Sequence, residues 1–502
     1  MPHFQCIVVI LLACTVCGSS SLQAQTPPFV LRDTFGRDLA GHEIALLDWE
    51  GYIANPAIRL AITSGGGVHP KNYPVRIELA ADGESLMFNL HSRMTAAGPR
   101  KTMFLESPDD TASFRMSVFP DRDSAHEVYR LTVTLIDAMQ ARVTSAYTIR
   151  IVDQDRKRPI EFPILIDFSH DQTGFFDNQT ARDLTLQAAE DCAYFLDDPG
   201  YEPVAVGDEV AWIWNSDGFK EGREVTNSSP FTGFLLFAHG IDHEPLHSGS
   251  NASDRRDHCF QHINGVKQQL RRSGTISIET AGNWNRLGWR FGGPQDRDAW
   301  LSSNGNAVAN DYYSIARHEI AHALTFHEGN TGYAQHRTGG QLANGAINGY
   351  LGAPAAVDVK EHFYDTIDPV SGFGVFGNEY GGDMPRVRWL ITKFELLAME
   401  AAGHTLRRTS PFVPLRMAGP TRVAIAAGVA TAIHVTASGG IPAYHFELLQ
   451  GRLPDGLTLD PFQGVLAGTP TEQGVFPLTL VVRDQDPAGR TATHGVTLVV
   501  SD

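Results

Sequence analysis

The sequence predicts a multidomain chain in which an α+β domain lies between an N-terminal and a C-terminal β-sandwich. Three observations carry that prediction. At 502 residues the chain is too long for one hydrophobic core. Two hairpin-like stretches, "EVYRLTVTLIDAMQARVTSAYTIRIVDQD" and "GVFPLTLVVRDQDPAGRTATHGVTLVVSD", alternate apolar and polar residues on either side of a polar turn, as half-buried strands do. Between them the pattern changes to a buried-type strand, helical spacing and glycine-rich loops. The domain boundaries read as 1–24, 25–158, 159–412 and 413–502.

Composition agrees with this division. A hydrophobic fraction of 42% and a charged fraction of 19% are those of a folded chain, and 48 glycines with 28 prolines supply the turns of β-rich domains. The formal charge of −17 argues against a nucleic-acid partner, which favours basic patches. It fits an exported protein, or one that holds cations.

Residues 1–24 read as a signal peptide. The apolar run from Cys6 to Val16 is followed by small residues and a cleavage pattern ending at Ala24. The n-region departs from the pattern, with no Lys or Arg, and "LLAC" ending at Cys14 is a minor lipoprotein alternative. The run is too short for a stable transmembrane anchor, and no later segment is long and apolar enough. The expected location is secreted, cell-surface or periplasmic. Cleavage leaves Cys192 and Cys259, which form either one disulfide or two buried thiols.

Residues 415–502 carry a specific resemblance. "GGIPAYHFELLQGRLPDGLTLDPFQGVLAGTPTEQGVFPLTLVVRD" has its glycines and prolines where tight turns between short strands need them. It resembles the immunoglobulin-like (cadherin-related) repeats of bacterial surface proteins. That resemblance implies a spacer or binding module, with cell-surface or extracellular-matrix contact through the β-sandwich domains, and no chemistry.

In the middle domain "EFPILIDFS" reads as a strand, and "TARDLTLQAAEDCAYFLDD" as a helix with Leu184, Ala188 and Phe195 among its apolar residues. "PRVRWLITKFELLAMEAAGH" reads as an amphipathic helix ending before Gly403. The chemistry is concentrated in "YYSIARHEIAHALTFHEGN". His318, Glu319 and His322 form H-E-x-x-H, and on a helix positions i and i+4 share a face. Both imidazoles then reach one zinc ion, with Glu319 beside its bound water. Asn310 or Asp311 is placed to cap the helix and Gly329 to stop it.

A catalytic zinc needs a third protein ligand. His327 lies nine residues beyond His318, or ~180° around a continuing helix. Metzincins break the helix with a glycine three residues after the second histidine, but this chain has Thr325 there, and their third-ligand spacing falls on Glu328. Both residues read better as the helix-end surface. Downstream, "DVKEHFYDTIDPVSGFGVFGNEYGGDMPRVRWLITKFELLAMEAAGH" places His362, a turn-rich run with Met384, and a helix in that order. Residues 312–404 thereby resemble leishmanolysin-like metzincins, in which an insertion separates the H-E-x-x-H helix from the third histidine. The resemblance implies a zincin-type fold and metalloendopeptidase activity on a protein or peptide substrate. It also implies zinc on His318, His322 and His362, Glu319 as general base, and Met384 beneath the metal.

With three neutral imidazoles the ion keeps its +2 charge and lowers the pKa of bound water towards ~7. Tyr380 is a further candidate, to donate to an oxyanion. Two alternatives stay open. Asn378-Glu379 followed by Asp383 imitates the gluzincin pattern, in which Glu379 is the third ligand, but glycines and a proline oppose the helix it needs. A non-catalytic surface or adhesion protein with a degenerate peptidase fold is the other. His239, His243 and His247 recur every four residues, but Gly240 and Pro245 oppose a helix there, and loop positions are expected. "IDFSHDQTGFFD" and the two "DQD" runs offer oxygen-rich clusters for structural calcium; solvated turn aspartates are the favoured reading.

Overall fold

The structure is a computed structural model. It describes residues 29–502 apart from 34, 40–42, 49–56, 63–71, 83–85, 90–99, 119–126, 154–162, 199–201, 217, 243–251, 256–259, 264–265, 269–271, 282–288, 294–309, 328–329, 359–360, 364–365, 371–374, 376–390, 408–413, 442 and 487–488. The chain is multidomain and mostly β, with few helices. The signal-peptide reading and Cys259 lie outside the described residues; Cys192 is a buried free thiol.

The N-terminal domain is a sandwich of a four-stranded and a five-stranded sheet. The hairpin legible in the sequence forms its largest pairing, Glu127–Ile136 antiparallel to Arg142–Asp153. Alternate residues Leu131, Val133 and Leu135 point inward and meet Phe29, Phe114 and Met116 of the other sheet. The C-terminal domain repeats the principle with Gly474–Arg483 paired to Thr491–Ser501. Its core gathers Leu466, Leu480 and Leu498. Gly456 of "LPDG" adopts φ +91°, and a Cβ there would lie 2.0 Å from the Thr469 carbonyl oxygen, so only glycine fits.

The middle domain is built on a four-stranded sheet. Its strands in chain order are β1 (Ile164–Asp167), β2 (Phe234–Asp242), β3 (Ala252–Arg255) and β4 (Ser273–Ala281). Their spatial order is β1-β2-β4-β3; β1, β2 and β4 are parallel and β3 is antiparallel. Strand β2 explains its own apolar run: Phe234, Leu236 and Ala238 face the main core, whereas Leu235 and Phe237 face a second sheet. That sheet pairs Glu209–Asn215 with Gly218–Thr226, and the region read from the sequence as glycine-rich loops therefore holds more strand than expected.

Two helices cover the main face. Helix α1 (Gln179–Ala193) is capped by Asn178, which accepts from the Thr180 N–H at 3.0 Å. Helix α2 (Tyr312–Leu324) is capped by Asp311 and packs on α1, β3 and β4. A hydroxyl–hydroxyl hydrogen bond of 2.7 Å between Thr185 and Tyr312 joins the two helices inside the core. Short helices α3 (Thr331–Ala334) and α4 (Gly345–Leu351) follow, then α5 (Lys393–Ala401).

Helix α5 differs from its sequence reading in two ways. It begins at Lys393, where Thr392 and Glu395 form a capping box, and Lys393 to Met399 are all buried, so it is no amphipathic surface helix. Its lysine explains the burial of a second unexpected group. Asp484 and Asp486 of the C-terminal "DQD" are 4% exposed each, not solvated. Asp486 accepts from Lys393 and pairs with Arg490 at 2.8 Å, and Asp484 accepts from the Ile441 N–H at 2.8 Å. Asp486 thus ties the C-terminal sandwich to α5, in line with the rule that buried charges are paired.

Candidate metal centre

Helix α2 positions its two histidines by period alone. Four residues apart, His318 and His322 stack on one face with ring centroids 4.7 Å apart. His362 comes from the far side of a loop-rich segment and lies 5.1 Å, centroid to centroid, from each of them. One ligand atom from each of the three lies within 4.8 Å of the others. Among the described residues no other group of His, Cys, Asp and Glu closes in this way.

The protonation pattern follows from the partners. His322 Nδ1 is 2.8 Å from the Phe326 carbonyl oxygen, which can only accept, so Nδ1 carries the proton and Nε2 keeps its lone pair. His362 Nδ1 lies 3.5 Å from the Asp358 carboxylate, which accepts from the His362 backbone N–H at 2.9 Å. His318 Nε2 and His362 Nε2 are 3.2 Å apart. Burial, together with the neighbouring His322 and His362, holds His318 well below the ordinary histidine range, so its ring is neutral.

This donor set fits a small borderline metal. Two imidazole nitrogens at 3.2 Å need a proton or a cation between them. Zn–N bonds of ~2.0–2.1 Å in tetrahedral geometry place ligand nitrogens ~3.3–3.4 Å apart, close to that separation. Glu319 follows His318 on the helix and is 6% exposed. Tyr313, Ile320, Phe326 and Phe363, close in the chain to the three histidines, belong to the main core, and Phe394 packs edge-on against Phe363.

The remaining sequence candidates separate cleanly. Helix α2 ends at Leu324, five residues before Gly329, so His327 is off the helix and outside the cluster. The stop is Thr325, which leaves helical geometry at φ −140° and is fixed through its hydroxyl, 3.0 Å from His404 Nε2. His239 sits in the buried strand β2, not on a loop, 3.1 Å from the Ser277 hydroxyl. Burial lowers its pKa to about 3. Asp167 and Asp171 are turn acceptors: Asp167 takes hydrogen bonds from Ser169 and Ser228, Asp171 from Thr173, Phe176 and Gly240. Glu328, Glu379, Tyr380, Asp383, Met384, His243 and His247 lie outside the described residues.

Sequence reasoning missed the groups that orient the rings. Phe326 acts through its carbonyl, which no residue pattern advertises, and Asp358 was passed over although it stands four residues before His362.

The family-model comparison reaches one end of the chain. Residues 415–501 match the family model described as "Putative Ig domain". No curated protein matches the chain. Among solved structures, a "putative alpha-galactosidase" from Bacteroides fragilis NCTC 9343 is similar at 20% identity and a TM-score of 0.16, over 17% of each chain. The chain therefore spans about a sixth of that protein's length. The PapD-like domain 7 of human CEP192 is similar at 9% identity and a TM-score of 0.19, over 29% of this chain and 99% of that one. The periplasmic chaperone SfaE is similar at 7% identity and a TM-score of 0.16, over 50% of this chain and 99% of that one. Likenesses of this size define neither a shared overall fold nor an activity.

Proposed function

We propose that the protein is an exported zinc-dependent metalloendopeptidase of zincin type, in which His318, His322 and His362 hold the ion and Glu319 is the general base. The observation that carries this reading is the convergence of three imidazoles, those of His318 and His322 buried and that of His362 half-buried, beside an H-E-x-x-H glutamate. When bound, zinc supplies Lewis-acid polarisation of a carbonyl and an acidified water. The chain's own residues supply the rest. Phe326 fixes the His322 Nδ1 proton so that the Nε2 lone pair is left for the ion, and Asp358 holds the His362 backbone N–H. Glu319 takes a proton on its carboxylate and returns it to the leaving amine.

Metal analysis of the purified protein tests this reading first. About one equivalent of zinc is expected, with a clear loss in His362→Ala; less than about half an equivalent, or no change in that variant, overturns it. Glu319→Gln is expected to retain zinc and lose hydrolysis. A zinc-loaded protein that cleaves nothing in a broad peptide library favours a surface-binding protein instead, a reading supported by the matched Ig domain and the second sandwich.

A further inference from the structure

The third histidine raises a physical problem that the first two do not. His318 and His322 are placed by one helix, but His362 stands forty residues beyond His322 along the chain. A metal site needs its ligands held to within ~0.5 Å. Something must hold the distant turn.

The turn itself is tightly closed. Asp358 N–H donates to the His362 carbonyl at 3.0 Å, and Glu361 N–H donates to the Asp358 carbonyl at 3.2 Å. The Asp358 carboxylate also accepts from His362 N–H at 2.9 Å. Closing it requires Glu361 at φ +65°, a left-handed conformation that a residue with a Cβ rarely adopts. A glycine would adopt it freely. The glutamate is present instead, 5% exposed, and its carboxylate is fully engaged. Tyr333 O–H donates to Oε2 at 2.8 Å; Arg337 donates to the same oxygen through Nε at 2.9 Å and to Oε1 through Nη2 at 3.3 Å. Arg337 Nη2 also reaches the Asp358 carbonyl at 2.7 Å, so one guanidinium spans both ends of the turn.

The network is anchored in turn. Tyr333 lies on α3, whose first turn is capped by Asn330. Gly332 lets α3 lie directly on the end of α5, since a Cβ there would lie 1.8 Å from the Ala402 carbonyl oxygen. Phe363, next to His362, packs edge-on against Phe326 and Phe394 at 5.5 and 4.7 Å.

We infer that Tyr333, Arg337 and Glu361 are positioning residues for His362, a buried clamp that does the work of the glycine turn this chain lacks after His322. The inference rests on the metal reading above, and deepens it. Its test therefore has one arm that needs metal and one that does not. In the full-length chain, Glu361→Gln is expected to weaken zinc binding ~10–100-fold in a chelator competition, the range for groups that orient metal ligands. In the metal-free protein the same variant is expected to speed amide exchange at residues 361–363 and leave α2 protected. Tyr350→Phe breaks a hydrogen bond of 2.6 Å to Asp368 in the same domain, and is expected to leave zinc affinity within twofold. If Glu361→Gln fails to fold, Tyr333→Phe removes one hydroxyl only and is expected to weaken zinc several-fold. Unchanged exchange at 361–363 overturns the clamp; so does a zinc affinity within twofold of the parent, or an equal loss in Tyr350→Phe. A parent protein that binds no zinc overturns the metal reading alone, and the exchange arm still decides the clamp.

Discussion

His239 and His318 each have another histidine four residues further on, and the structure places these two histidines on different elements, a strand and a helix. On helix α2 a spacing of four brings side chains to neighbouring positions, ~5–6 Å apart between Cβ atoms. Along a strand the same spacing returns to the same face but ~13 Å away, at ~3.3 Å per residue. His239 lies in strand β2, and its companion at 243 falls just past the strand's end at Asp242. Both His239 and His318 are buried, and burial lowers the pKa of both. Burial and a perturbed pKa are thus common to the lone histidine and to the cluster. Convergence of ring nitrogens is what separates them.

The strongest way to break that comparison is to remove one ring from each. On the proposed zinc reading, His322→Ala removes one of three ligands and is expected to lower zinc affinity by more than the ~100-fold upper range for groups that only orient a ligand. His239→Gln is expected to change zinc affinity less than twofold. A competition titration with a chelator reads both, and a zinc loss in the His239 variant ends the distinction. Next in size is the packing behind the third ring. Phe363→Ala is expected to cost about 3–5 kcal/mol, the range for truncating a buried phenylalanine, read from the denaturant midpoint of the middle domain's transition. A cost under 1 kcal/mol would mean that the His362 turn does not depend on the core.

The lone histidine has its own signature in pH. Its folded pKa, about 3, lies below the ordinary value of 6.5. Between those values the unfolded chain binds a proton that the folded chain refuses, so stability is lost as pH falls through that window. One such group contributes a slope of about 1.4 kcal/mol per pH unit. Denaturant midpoints of the parent and of His239→Gln between pH 7 and 4 check it. The difference between them is expected to shrink as pH falls, and a difference that stays constant overturns the assignment.

What was legible follows the same divide between local and distant causes. The two terminal hairpins were readable because strand alternation is a short-range pattern, and Leu131, Val133 and Leu135 face inward as it requires. The helix carrying His318 and His322 was readable for the same reason, and its cap is Asp311, one of the two residues the sequence offered with Asn310. Its end was not. Gly329 looked like the natural stop, but the stop is set at Thr325 by a hydrogen bond to His404, seventy-nine residues away. The burial of Asp486 was hidden for the same reason, since its partner Lys393 lies ninety-three residues away on α5. The left-handed Glu361 carries no local signal either, because glutamate is an ordinary choice everywhere except at that backbone angle.

The smallest effect tests that lesson at the helix end. Metzincins place a glycine where this chain has Thr325, and a reader of the sequence alone would expect Thr325→Gly to be harmless or helpful. The structure gives the opposite sign. At φ −140° the position makes no demand for a left-handed residue, so glycine gains nothing in the fold and adds freedom to the unfolded chain. The hydroxyl it deletes donates to His404 Nε2, because His404 Nδ1 is committed to Asp198 at 2.7 Å. Losing a buried hydrogen bond and gaining unfolded-state entropy both act in one direction, and together they are expected to cost about 1–2 kcal/mol. Thr325→Ser keeps the hydroxyl and is expected to recover most of the loss in the same denaturant experiment. A stabilised glycine variant would show that the end of α2 is strained, and that the helix places His318 and His322 less independently of its surroundings than their spacing implies.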